Sequence, residues 1–243
     1  MNVKPKYNLQ IFDTVQMLSA AAAEFIIGVA KQSIEERGCF VIALSGGHTP
    51  ETLYALMAEP PYLDRMPWEQ TFVWWGDERC VPMYDPRNNA HMARGLLLDK
   101  VSTHIHTIPV YLSPAEAAKD YEDEINTFFG DDMPRFDLIL LGLGTNGHTA
   151  SLFPGTEVVN EKAIGIREVY LEDDKMYRIT MTASLINLAR NAFFLVAGAE
   201  KTSILKTVLT GEYKPALYPA QMIQPKEGAL YWFVDKEAAG EMR

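Results

Sequence analysis

The residue types that point most directly to chemistry meet at His148. It closes the run Gly142-Leu143-Gly144-Thr145-Asn146-Gly147, whose three glycines free the backbone for a sharp turn after the apolar stretch 136–141. An imidazole titrates near neutrality, so in such a turn it suits a general base. Other turns carry groups that bind rather than react. Ser45-Gly46-Gly47-His48-Thr49-Pro50 lies between an apolar run at 39–44 and a helical stretch at 51–57. Glycines flanked by hydroxyls at a helix start aim N–H groups at an anion. Asp77-Glu78-Arg79 follows the apolar run 71–75. Three charges at the end of a buried strand read as part of a site, and a guanidinium grips phosphate by two parallel hydrogen bonds. Lys201 opens a helix, where the partial positive charge disfavours a cation unless it helps to hold an anion. Together these residues describe a pocket for a phosphorylated small molecule with one titratable base.

Two nucleotide-binding patterns fit the His148 stretch only superficially. Gly142, Gly144 and Gly147 satisfy the glycine spacing of a dinucleotide fingerprint, but Pro154 leaves room for about two turns of helix at most. The same residues resemble a phosphate loop with His148 in the lysine position, and a neutral imidazole does not replace that cation.

The elements that hold these turns follow from periodicity. Residues 9–12 read as an edge strand. Residues 14–37 repeat apolar side chains at helical spacing, capped by Asp13 or Thr14 and ended by Gly38. Strands are expected at 39–44, 71–75, 105–110, 136–141, 192–197 and 229–234, and helices at 51–57, 88–98, 114–129, 184–189 and 201–210. Residues 219–223 form a further helical turn, and Asp235 caps a terminal helix. Residues 155–174 read as loop, and 177–182 as a half-buried strand with Arg178 on its polar face. Strands alternating with helices give an α/β fold, a largely parallel sheet flanked by helices, spanning 1–243 as a single domain.

Composition narrows the partners. Hydrophobic residues make up 48% and charged residues 22%, as in ordinary globular proteins. The net charge of −10 with no basic block argues against nucleic acid. No unbroken apolar run approaches the ~20 residues of a membrane span, and the charged opening 1–6 leads into no signal-peptide pattern. Cys39 and Cys80 lack metal-ligand spacing and read as free thiols of a reduced, cytoplasmic compartment.

Taken in order, Ser45-Gly46-Gly47-His48-Thr49-Pro50, Asp77-Glu78-Arg79-Cys80-Val81-Pro82 and the stretch from Gly142 to Pro154 resemble the three signature blocks of the 6-phosphogluconolactonase family. The likeness continues through Tyr177-Arg178-Ile179-Thr180, Gly198-Ala199-Glu200-Lys201, Pro219-Ala220-Gln221-Met222-Ile223 and Trp232-Phe233-Val234-Asp235. It implies a Rossmann-like fold shared with glucosamine-6-phosphate deaminases and ribose-5-phosphate isomerases. It also implies hydrolysis of a sugar-phosphate lactone without metal or organic cofactor, by a monomer or homodimer. By the same resemblance His148 is the general base, passing its proton on to the departing ring oxygen. Ser45, Gly46, Gly47, Thr49, Asp77, Arg79, Arg178 and Lys201 bind phosphate or line the pocket. Gly144 and Gly147 belong to the turn whose N–H groups face the substrate. Asn146 departs from the family, which mostly carries aspartate there; an amide orients an imidazole without stabilising its charged form, which implies a slower lactonase. Two other readings stay open: a catalytically silent sugar-phosphate sensor, and the deaminase branch, which has glutamate where Phe153 stands.

Overall fold

A computed structural model describes residues 7–242; the charged opening 1–6 lies outside them. The chain begins with β1 (Asn8–Phe12) and α1 (Val15–Arg37). Thr14 caps α1 by accepting the Met17 N–H at 3.2 Å, and Gly38, at φ 83°, ends it in the left-handed conformation. Then come β2 (Phe40–Leu44), α2 (His48–Met57), α3 (Tyr62–Arg65), β3 (Thr71–Trp75), β4 (Asp77–Arg79), α4 (Asn89–Leu96) and β5 (His104–Ile105). The second half supplies α5 (Pro114–Phe129), β6 (Leu138–Leu141), β7 (Ile166–Leu171), β8 (Met176–Met181), α6 (Ala183–Ile186), β9 (Asn191–Val196), α7 (Thr202–Thr210), β10 (Ala229–Asp235) and α8 (Lys236–Ala239). A capping box between Ser113 and Glu116 starts α5 at its proline.

Seven strands form one parallel sheet in the order β1-β10-β9-β6-β2-β3-β5. Strands β2 and β6 are buried along their whole length, as continuous apolar runs in a helix-covered parallel sheet should be. From β2 the chain moves outward to β3 and β5; from β6 it moves the other way, to β9 and β10. The order therefore reverses between β2 and β6, and a crevice opens beyond their carboxyl ends, where such sheets bind ligands.

The 23-residue α1 holds an 18-residue window of mean hydropathy 1.2, enough by length and composition alone to span a bilayer. In the fold that apolarity faces inward, with Leu18, Ala22, Ala23, Ile26, Ile27 and Ala30 buried in the core.

Some sequence expectations need correction. The charges at 77–79 are not a loop but β4, which pairs antiparallel with β8 in a second sheet of order β4-β8-β7. Strand β7 lies in the segment read as loop, because its burial alternates and its apolar signal is diluted by Arg167, Glu168 and Tyr170. No helix follows Gly147; an isolated bridge from Thr149 to Leu152, with Ala150 at φ 46°, folds the chain into a tight loop. The strand expected at 105–110 shrinks to His104–Ile105, and α2 begins three residues early, at His48.

Candidate active site

The crevice holds a cavity of about 350 Å³ whose walls are the loops after β2, β6 and β9, strands β4 and β8 of the second sheet and the start of α4. Ser45, Gly46, Gly47, Thr49, Asp77, Arg79, Gly144, His148, Arg178 and Lys201 all line it. Asn146 and Gly147, the other two expected residues, do not. Asn146 is exposed and acts on His148 from behind. Gly147 is buried at φ 84°, and a Cβ there would come within 3.0 Å of the Tyr218 ring, so its part is conformational.

Two buried tyrosines set the strand ends that carry the site. The Tyr54 hydroxyl accepts from the Ser45 N–H at 3.2 Å and donates to the Ser45 carbonyl at 2.8 Å. Tyr121 does the same for Trp75, at 2.8 and 3.2 Å. With Ser45 fixed, Gly47 at φ 107° turns the chain into α2, and the first N–H groups of that helix have no acceptor within it. A helix start with free N–H groups on the cavity wall can receive an anion.

The cations come from the second sheet and from the start of α7. In the register of the second sheet Arg79 lies directly opposite Arg178. Like charges in such a cross-strand pair repel, and each Nε is buried without a hydrogen-bond partner. Arg79 donates from Nη1 to the Arg87 carbonyl at 2.6 Å, and Arg178 pairs with Asp174. Lys201 ends a short 3-10 turn, Ala199–Lys201, at the start of α7, 4.0 Å from Glu200. Three cations thus face one cavity in a chain of net charge −10, which suits a multiply charged anion.

His148 is fixed from several directions. The Asn146 Oδ1 accepts the His148 backbone N–H at 3.1 Å and lies 2.6 Å from the ring Nδ1. An amide oxygen there assigns the proton to Nδ1 and leaves the Nε2 lone pair free. The ring rests on Gly144, where an added Cβ would fall 2.0 Å from Nδ1, so only glycine allows this approach. Phe153 stacks on the imidazole with centroids 3.8 Å apart. Burial, then the charges of Arg178, Lys201 and Arg79, push the imidazole down to about 4, against a smaller upward pull from Asp174. It is therefore neutral at physiological pH, with the Nε2 lone pair unprotonated, and is a weaker base than a free imidazole.

Several supporting contacts escaped the sequence reading, including one made by the expected residue Asp77. Asp77 accepts the Ser151 hydroxyl at 2.6 Å, tying β4 to the His148 loop. Glu78 is buried and accepts three backbone N–H groups, from Arg79, Asn89 and Ala90, each at 2.8 Å. Asn89 reaches the cavity wall beside Gly46 while its Nδ2 donates to the Asp77 carbonyl at 2.9 Å. Only helix-start spacing marked Asn89; Glu78 was marked as one of the three charges at 77–79, and its bonds to the start of α4 were not. Among the described residues no three His, Cys, Asp or Glu side chains converge as metal ligands would.

The cavity is matched by relationship. A family profile described as glucosamine-6-phosphate isomerases/6-phosphogluconolactonase covers residues 13–232. The 6-phosphogluconolactonase of Synechocystis sp. is 44% identical over 220 residues, 87% of this chain and 88% of that one. The 6-phosphogluconolactonase of Nostoc sp. is 37% identical over 246 residues, 98% and 99% of the two chains. The solved structure of 6-phosphogluconolactonase from Trypanosoma brucei aligns with a TM-score of 0.86 at 27% identity, over 98% of this chain and 100% of that chain. The chain belongs to the family of glucosamine-6-phosphate isomerases and 6-phosphogluconolactonases.

Proposed function

We propose that this chain hydrolyses 6-phospho-D-glucono-1,5-lactone to 6-phospho-D-gluconate, a step of the oxidative pentose phosphate pathway, with His148 as the general base. The observation that carries the reading is the neutral imidazole, held at Nδ1 by Asn146 in a cavity shared with Arg79, Arg178 and Lys201. The Nε2 lone pair takes a proton from water as it attacks the lactone carbonyl. Charge then develops on the carbonyl oxygen, where N–H groups of the glycine turns stabilise it. The imidazolium returns its proton to the ring oxygen as the ester bond breaks, and the ring opens to the acid. The α2 amino end, Arg79, Arg178 and Lys201 supply the charge that retains the phosphate.

The test is hydrolysis of freshly generated lactone, corrected for its spontaneous opening. His148→Ala is expected to lose roughly 10²- to 10⁴-fold in kcat, the usual worth of a positioned base, while still binding 6-phosphogluconate. A variant as fast as the native protein removes His148 from the mechanism. Binding of 6-phosphogluconate by a native protein that does not accelerate hydrolysis makes the chain a sensor.

A further inference from the structure

We propose that Phe153 is a positioning residue for the base: its ring fixes the plane of the His148 imidazole, screens it from water and ties it to Arg178. The proposal rests on the lactonase reading, in which His148 takes the proton.

Phe153 lies five residues beyond His148, and the tight loop brings it back over the imidazole. The rings stack 3.8 Å apart at 19°. The Arg178 guanidinium carbon lies 5.4 Å from the same ring's centroid, within cation–π range. One side chain therefore touches both the base and a cation of the anion site. The loop is built to hold it there. The Leu152 N–H donates to the Thr149 carbonyl at 3.0 Å, Ser151 is bonded to Asp77 and to Thr180, and the Thr156 hydroxyl donates to the Phe153 carbonyl at 2.6 Å. With Gly144 also against the imidazole, ring rotation about its outer bond is restricted and Nε2 keeps one direction.

The flat ring affects protonation through two opposed terms. An aromatic face attracts an imidazolium. Keeping water from a charged group disfavours it; in a site already crowded with cations the screening outweighs the attraction, and the ring favours the neutral base. An aliphatic side chain of similar volume fills the space without the flat face, leaving the imidazole free to tilt and hydrate.

The experiment combines pH–rate profiles with NMR titration of His148 in the native protein, Phe153→Leu and Phe153→Tyr. Phe153→Leu is expected to lose about tenfold in kcat with KM changed less than about threefold, the pattern of a misaligned base. Its His148 titration and the acid limb of kcat/KM are expected to move up together by about one pH unit. Phe153→Tyr, which keeps the flat face, is expected to restore both. A Phe153→Leu protein whose His148 titrates as in the native protein, with any loss of rate the same at every pH, overturns the proposal and leaves Phe153 as filler. The titration needs no turnover. A native protein that accelerates no lactone therefore removes the lactonase reading, while the His148 titrations still decide the role of Phe153.

Discussion

At the residue scale, in the mechanism we propose, the pairing of Asn146 with His148 decides how the base works. The 2.6 Å contact from Oδ1 to Nδ1 does half of what a carboxylate would do in that place. It selects the tautomer and fixes the ring, but it gives nothing to the imidazolium that forms as water is deprotonated. Three nearby cations oppose that imidazolium as well. Asn146→Asp is therefore expected to raise the His148 pKa from about 4 by roughly one unit or more, since an adjacent anion favours the charged ring and exposure of residue 146 softens the effect. The acid limb of kcat/KM moves up with it, and kcat is expected to rise roughly 3- to 30-fold as the transition-state charge gains a partner. A pH–rate profile of the variant against the native protein checks both; an unchanged kcat would mean that Asn146 serves by turn geometry alone. The contact itself was only half legible in sequence. The spacing of Asn146 and His148 allows it, but the same asparagine before a glycine reads equally well as a turn former. Gly147 shows the reverse: placed with the binding residues by its motif, it proves to be needed for a positive φ.

Among the elements, α2 and β4 contrast in what a sequence can reveal. The turn before α2 announces a helix start, because glycines flanked by hydroxyls and followed by a proline read as an anion cradle more readily than as a plain tight turn. Strand β4 does not, because three charged residues lack every mark of a strand. What makes them one is tertiary: β8 supplies the ladder, and Glu78 turns inward to meet the amino end of α4. That carboxylate caps a buried helix start from outside the helix, and no local pattern encodes such a partner. Burial raises Glu78 to about 7, with the N–H groups of Asn89, Ala90 and Arg79 opposing the shift. A carboxyl raised in the folded state stabilises below its unfolded pKa of 4.5, and that stability is lost as pH climbs through about 7. The span corresponds to roughly 3 kcal/mol. Glu78→Gln removes the titration and leaves one backbone donor facing an amide N–H₂. The variant is expected to be less stable than the native protein at pH 5 by about 1–3 kcal/mol, and the gap to narrow as pH rises to 8. Denaturant melts at several pH values measure that difference, and a gap independent of pH would show that Glu78 does not titrate in this window.

For the molecule as a whole, the two ends of the sheet have different work. Its parallel strands and their approximate positions were legible because a short, unbroken apolar run such as residues 138–141, bounded by turn residues, fits little besides a strand covered on both faces. The order of the strands was not, since β2 and β6 meet only through long-range packing, and with it went the reason why loops some 100 residues apart share one cavity. The carboxyl ends carry the site; the amino ends carry Asp137. It is 3% exposed at the start of β6, accepts the Val41 N–H at 2.8 Å and lies 3.0 Å from Arg37 and 3.3 Å from Arg190. Burial pushes its carboxyl up, and the Val41 N–H and the two guanidiniums pull it back. The same crowding lowers Arg190, through its own burial and then the charges of Arg37 and Arg135. Asp137 is thus the buried anion between two arginines. Asp137→Asn keeps the shape and an acceptor for Val41 but takes the anion from Arg190 and leaves Arg37 with Glu36 alone. With both guanidiniums about a third exposed, the loss is that of charged hydrogen bonds, about 1–3 kcal/mol, still a sizeable share of the roughly 5–15 kcal/mol by which a domain is stable. The variant is expected to melt below the native protein and, at temperatures where it stays folded, to hydrolyse lactone within about twofold of the native kcat/KM. The site lies a full strand length away and shares no side chain with this cluster. A fall in kcat/KM far beyond twofold in folded protein would show that the amino end of the sheet sets the geometry of the His148 turn through β6, and that stability and catalysis are not separable along this strand.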